Sequence, residues 1–154
     1  MKTIEQIIEQ EPVFLNDFDN RFDVIMDFND IYLSFEDYNA EDSPYRNENY
    51  WRKKKAEANE VLAIFEGVNI LFASYGNDNY SGDAWVLFEK DGILYEVHGS
   101  HCSCYGLEGQ WEPEEVDLRE LEHRLFYGTF GTDKWSGNEF KQELMTFLGI
   151  EGVN

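Results

Sequence analysis

The middle of the chain carries the clearest helical pattern of apolar positions. Between residues 48 and 66, apolar side chains recur at steps of three and four residues, at Trp51, Ala58, Val61, Leu62 and Phe65. This spacing turns one face of a helix toward a core, and Gly67 directly afterwards is a good C-terminal stop. The pattern therefore predicts a helix over residues 48–66.

A strand-rich stretch follows this helix. Residues 68–74 and 84–88 are continuous apolar runs, and the segment 76–82 between them is dense in turn-forming residues. The pair Asp91-Gly92 then leads into a third run, residues 93–97. Because an Asp-Gly pair between apolar runs is a strong hairpin signal, we predict an antiparallel meander of three strands.

Two short helices are predicted after the sheet. In the first, Asp117 is a candidate N-cap, and Glu120 at the third helical position is expected to reach back to the cap. In the second, Ser136 and Glu139 form a candidate capping box, and Gly149 marks the end of the helix.

The N-terminal part gives a less decisive pattern. Ile4, Ile7 and Ile8 fit a short helix, whereas the apolar residues of segment 17–35 fit either a helix or an alternating strand. Helices flanking a small antiparallel sheet define the α+β class, and the length suits a single domain over residues 1–154. We expect three parts: an acidic, mainly helical part at 1–67, the sheet with a candidate metal loop at 68–115, and helices at 116–150.

Charge narrows the range of functions. Asp and Glu total 32 against 12 Lys and Arg, so the formal net charge is −20. Acidic chains are often disordered, but 16% of these residues are aromatic, which predicts a packed fold. The charge excludes unaided binding to nucleic acid or anionic lipid and favours a basic partner. Since neither a membrane span nor a signal core is recognisable, we expect a cytosolic protein.

The densest chemical signal lies directly after the third predicted strand. His98, His101, Cys102 and Cys104 fall close together in the sequence, and imidazole nitrogen and thiolate sulfur are the preferred ligands of zinc. We expect a Gly-Ser turn to fold these four residues around a structural zinc ion. His101 and Cys102 are adjacent and their side chains can point apart, so His123 or a distant carboxylate is an alternative fourth ligand.

Two other interpretations of this segment remain open. The segment can be a turn with buried thiols and hydrogen-bonded imidazoles, without metal. A catalytic cysteine is the third option, but His101 is poorly placed to face the neighbouring Cys102 sulfur, and the negative field disfavours a thiolate. We therefore predict no catalytic residue.

A second signal is the density of carboxylates between residues 17 and 42, where Arg21 is the only base. If residues 17–30 are helical, four carboxylates at steps of about 6 Å lie on one face and match the phosphate spacing of a nucleic-acid strand. The alternative is an ordinary solvated face of an acidic protein. The residues that we expect to contact a partner are Asp19, Asp23, Asp27, Asp30, Glu36 and Asp37.

Residues 70–115, about a third of the chain, resemble a group of small proteins encoded by phages and mobile elements. The similarity runs through residues 71–76, 82–88, 94–97 and 99–113. Its specific part is the run His101-Cys102-Ser103-Cys104-Tyr105-Gly106. Within this group the chain resembles the zinc-containing anti-CRISPR proteins that inhibit type II CRISPR effector nucleases.

This resemblance implies a phage-encoded inhibitor that acts in the cytoplasm of a bacterial host, without catalysis of its own. Its acidic surface would occupy the positively charged channel of the nuclease and block loading of nucleic acid. Two alternatives remain. One is a metal-dependent enzyme with a carboxylate such as Glu96 as base. The other is a DNA-mimic antirestriction protein or an immunity protein against a basic toxin.

Overall fold

Helices and strands follow one another in nearly the predicted order. The computed structural model describes residues 1–133 and 137–151. Among these residues, no helix is long and apolar enough to cross a membrane. The described elements are, in order, α1 (Ile4–Ile8), β1 (Val13–Asn16), α2 (Arg21–Phe28), α3 (Phe35–Tyr38), α4 (Glu48–Ile64), β2 (Asn69–Tyr75), β3 (Gly82–Lys90), β4 (Ile93–His101), β5 (Glu114–Glu115), α5 (Leu118–Tyr127), β6 (Thr132–Asp133), β7 (Asn138–Glu139) and α6 (Lys141–Leu148).

Strands β2, β3 and β4 form the predicted antiparallel meander, which confirms the α+β class. Asp91 and Gly92 make the hairpin turn with φ of 54° and 81°, a backbone conformation that an Asp-Gly pair tolerates well. Strand β4 continues past Val97 to His101, so Gly99 and Ser100 lie inside the strand. The expectation of a Gly-Ser turn at this point is therefore wrong.

Two short edge strands widen the meander into a mixed sheet of five strands, in the order β1-β2-β3-β4-β5. Strand β1 pairs in parallel with β2, and β5 pairs antiparallel with β4. A separate ribbon of two strands is formed by β6 and β7. The sequence pattern predicted none of these four short elements.

The ambiguous segment 17–35 resolves into a helix that is shorter than its apolar pattern. The side chain of Asn20 accepts a hydrogen bond from the backbone N–H of Asp23 (2.9 Å), which begins α2 at Arg21. Five residues of α2 are buried, and the helix ends at Phe28. Asp30 then adopts a positive φ of 55°, which turns the chain away from the helix axis.

The structure agrees with only some of the caps predicted for the last two helices. Asp117 caps α5 by accepting from the N–H groups of Arg119 and Glu120, but the Glu120 side chain pairs with an arginine instead of reaching back. Ser136 lies outside the described residues. Glu139 belongs to β7, so the start predicted for the last helix is wrong, whereas Gly149 ends α6 as predicted, with φ of 75°.

The sheet separates two apolar clusters, because successive side chains of a strand point to opposite faces. Helices α2 and α4 cover one face, where Val86 and Val97 are buried. Helices α1, α5 and α6 cover the other face, where Trp85 and Leu94 are buried. We call these the α4 face and the α5 face. Their separation decides which side chains at the end of β4 can meet.

Candidate functional site

A cleft of about 290 Å³ lies on the α4 face, between the C-terminal end of α2 and the loop that follows β4. We call it the acidic cleft. It brings together parts of both predicted constellations. Helix α2 and the residues just after it contribute Asp27 and Asp30, and the end of β4 and its loop contribute His101, Cys102 and Cys104.

His101 forms part of the wall of this cleft and is 6% exposed. Its Nε2 atom lies 2.6 Å from the carbonyl oxygen of Gly76, and since a carbonyl only accepts, Nε2 carries the proton and donates it. The imidazole also stacks on the ring of Tyr75, with centroids 4.3 Å apart and planes 9° from parallel. This arrangement fits the interpretation of His101 as a hydrogen-bonded structural imidazole.

The two cysteines lie in a tight turn after β4, and both thiols are free. The N–H of Cys102 donates to the carbonyl of Tyr105 (2.9 Å), and the N–H of Cys104 donates to the Cys102 sulfur (3.3 Å). Backbone N–H groups of Cys104 and Tyr105 directed at the sulfur lower the pKa of the Cys102 thiol. These local hydrogen bonds oppose the negative field that was expected to disfavour a thiolate, so the Cys102 sulfur is suited to bind a soft metal ion.

His98 lies on the opposite side of the sheet from His101. Its Nε2 atom is 2.5 Å from Oε1 of the buried Glu96, which also accepts from Nη1 of Arg124 (3.0 Å) and from the Trp85 indole N–H (3.2 Å). Burial alone would raise the pKa of Glu96, but the hydrogen bonds from His98, Arg124 and Trp85 lower it to about 2. Both oxygens of the carboxylate considered as a general base thus already contact side-chain donors of the chain.

The structure therefore does not bring the four predicted zinc ligands together. His98 belongs to the α5 face, while His101 and the cysteines line the acidic cleft. His123, the alternative ligand, is on α5, with its ring against Tyr127. Among the residues that the structure describes, no group of three or more His, Cys, Asp or Glu side chains is arranged to hold a metal ion. Zinc stays a prediction that metal analysis must test.

The predicted row of four aspartates on one helix is wrong at both ends. Asp19 precedes the N-cap, and Asp30 follows the end of α2, so the helix itself carries only Asp23 and Asp27. Of the row, Asp27 and Asp30 reach the acidic cleft. The other two predicted partner contacts are Glu36 and Asp37 in the first turn of α3, where the Asp37 carboxylate accepts from a tyrosine hydroxyl.

The field of the acidic cleft is strongly negative. The pKa of Asp27 is raised to about 6, first by loss of hydration and then by the charges of Asp23 and Asp17, while His101 opposes the rise. Asp27 as a whole remains exposed, so repulsion from the neighbouring carboxylates contributes to this rise beside the loss of hydration. Burial and neighbouring carboxylates also raise the pKa of Tyr75 to about 12.

The carboxylates between residues 17 and 42 stand apart from the ion pairs that the described residues form. In the described ranges, none of them forms an ion pair within 4.0 Å; the ion pairs found there involve glutamates 48, 96 and 120. Unpaired charges of one sign, placed side by side, favour a cationic ligand or a basic surface. The cleft also includes Tyr75 and Glu108, and no local sequence pattern marked Glu108 as a site residue.

Comparison of this chain with protein-family models, with curated proteins and with solved structures found no match.

Proposed function

We propose that this chain is a non-catalytic binding protein whose acidic surface, residues 17–42 with the acidic cleft, docks on the basic channel of a nucleic-acid-processing enzyme. The resemblance of residues 70–115 points to a type II CRISPR effector nuclease as the target. The protein would then be a phage-encoded anti-CRISPR inhibitor, active in the cytoplasm of a bacterial host, that blocks loading of nucleic acid.

The observation that supports this proposal is the density of carboxylates between residues 17 and 42, none of which forms an ion pair among the described residues, with Asp27 and Asp30 meeting at the acidic cleft. A nuclease of this class holds its heteroduplex in a channel of Lys and Arg side chains, and a surface of unpaired carboxylates can replace phosphates there. Attraction of this kind accelerates association and weakens as salt rises. The pKa of Asp27 is raised by loss of hydration and by the charges of Asp23 and Asp17, and a basic surface placed against this carboxylate would oppose the rise.

The test is direct binding to the purified nuclease, with and without guide RNA, between about 50 and about 200 mM salt. The triple substitution D19N/D23N/D27N should weaken binding about tenfold and flatten the salt dependence. The control E5Q/E9Q/E11Q removes the same number of carboxylate charges near α1, on the α5 face, and should have little effect. No binding to the nuclease, or equal losses for both triple variants, would overturn the proposal.

A further inference from the structure

An apolar groove lies on the α4 face, separate from the acidic cleft. Its volume is about 370 Å³. Its floor is rigid because the Trp111 ring stacks on Phe88 (centroids 5.2 Å apart, planes 21° from parallel) and meets Phe65 edge-on at 5.0 Å. Most of its lining is apolar: Ile64, Phe65, Val68, Phe88, Tyr95, Trp111 and Pro113, with Asn29 and Lys90 as the polar members.

Ile64 stands at the mouth of this groove with 75% of its surface exposed. It is the last residue of α4, and it falls outside the apolar stripe through which that helix contacts the core. Single exposed apolar residues are common, but this one borders an apolar cavity with a preformed aromatic wall. That combination is typical of a pocket that receives an anchoring side chain.

The groove and the acidic cleft meet at the end of α2. Asn29 lines the groove, and the next residue, Asp30, lines the cleft. Exposed carboxylates adjoin the groove along the chain as well, because Glu66 follows Phe65 and Glu112 precedes Pro113. A surface that docks on the carboxylates at the end of α2 would therefore lie beside the groove.

We propose that this groove receives an aliphatic or aromatic side chain that projects from the basic surface of the partner. This inference rests on the proposed function, since it places the anchor on the same partner. Charge decides the occupant. Lys90 lines the groove, but the chain as a whole has a net charge of −20, so a second copy would be repelled, whereas a partner with basic residues around an apolar anchor would be attracted. Apolar contacts in the groove would contribute affinity that does not depend on salt. The carboxylates would accelerate association by attracting the basic partner.

The proposal can be tested with two short lysine-rich peptides. They differ only at a central residue, which is leucine in one and serine in the other. This test of side-chain binding in the groove needs no assumption about the target. The leucine peptide should bind about tenfold more tightly and shift the NMR signal of the Ile64 methyl groups. Equal affinities for the two peptides, or a preference for leucine without any change at Ile64, would overturn the proposal.

The variant I64A should remove the preference for leucine and leave the salt dependence of binding unchanged. The control I4A truncates another partly exposed isoleucine (38%), on α1 at the other face of the sheet, and should keep the preference. Because Ile64 is largely exposed, its truncation should not unfold the chain, which circular dichroism checks. A leucine preference that persists in I64A would contradict the assignment.

The same titrations separate the two proposals. If the nuclease does not bind but I64A removes the leucine preference, the groove is confirmed as a binding site for an apolar side chain and the proposed target is wrong. If both peptides bind equally and with strong salt dependence, binding to the acidic surface is supported and the role proposed for the groove is wrong. Dimerisation at high salt that I64A abolishes would assign the groove to a second copy and overturn the proposal.

Discussion

The buried carboxylate of Glu96 gives the sharpest stability prediction. The variant E96Q keeps the size of the side chain but removes the charge that Arg124 and His98 contact. Lowering the pKa of Glu96 from 4.5 to about 2 corresponds to about 3 kcal/mol of stability, at ~1.36 kcal/mol per pKa unit. This is at the lower end of the roughly 3–5 kcal/mol lost when one member of a buried ion pair is removed, because Arg124 then keeps, among the described residues, only the more exposed Glu120 as an acidic partner.

Urea unfolding followed by tryptophan fluorescence measures this loss, since the Trp85 indole contacts Glu96 directly. A matched control is E114Q, which changes an exposed glutamate paired in register with Glu96 on the neighbouring strand. We expect E96Q to lose about 3 kcal/mol at pH 7 and E114Q to change by less than about 0.5 kcal/mol.

The pH dependence follows from the direction of the shift. Because the pKa of Glu96 is lower in the folded state, its contribution is complete above about pH 4.5 and is lost as pH falls through about 2. The difference between wild type and E96Q should therefore narrow over this range. Equal stability at pH 7, or a difference that stays constant down to about pH 3, would refute the role assigned to Glu96.

Three other expectations concern the acidic cleft and its surroundings. For Asp27, whose folded pKa is raised above the ordinary 3.8 to about 6, the carboxylate destabilises the fold increasingly as pH rises between these values. D27N should therefore raise Tm at pH 7.5 but not below about pH 4, and an unchanged Tm at pH 7.5 in thermal scans would contradict this. A Cβ on Gly99 would lie 2.9 Å from Leu107 Cδ2, so G99A should cost about 1–3 kcal/mol in urea unfolding, unlike S100A. Elemental analysis should find about one zinc per chain, lost in C102S/C104S; a metal-free wild-type protein would end the zinc hypothesis.

The parts of the fold that local pattern determines were predictable. The apolar runs around Asp91-Gly92 located the meander, and the helical stripe ending before Gly67 located α4. Strand β1 was not predictable, because it pairs with a strand that follows it in the sequence only after three helices. Val13 of β1 lies opposite Phe72 of β2. Strand β5 consists of two glutamates, which have no strand propensity, and pairs only because β4 offers an open edge.

Only part of the candidate site was predictable from the sequence, for a similar reason. The sequence located the His-Cys-Ser-Cys segment, but the strand was expected to end near Val97 with a turn after it. Because β4 runs on to His101, the period of two places His98 on the α5 face and His101 on the α4 face. The meeting of Asp27 with His101 depends on the packing of α2 against the sheet, which no spacing within either segment reveals.

The short outer strands limit how this sheet can be approached. Strand β5 is two glutamates preceded by Pro113, and β1 ends at Asn16 and is followed by Asp17. An incoming strand would find few backbone groups to bond and would meet negative charge on either side, which is how natural sheets discourage strand addition. Growth into fibrils and recognition by strand complementation are both disfavoured, so a partner that approaches either edge of this sheet is expected to contact side chains.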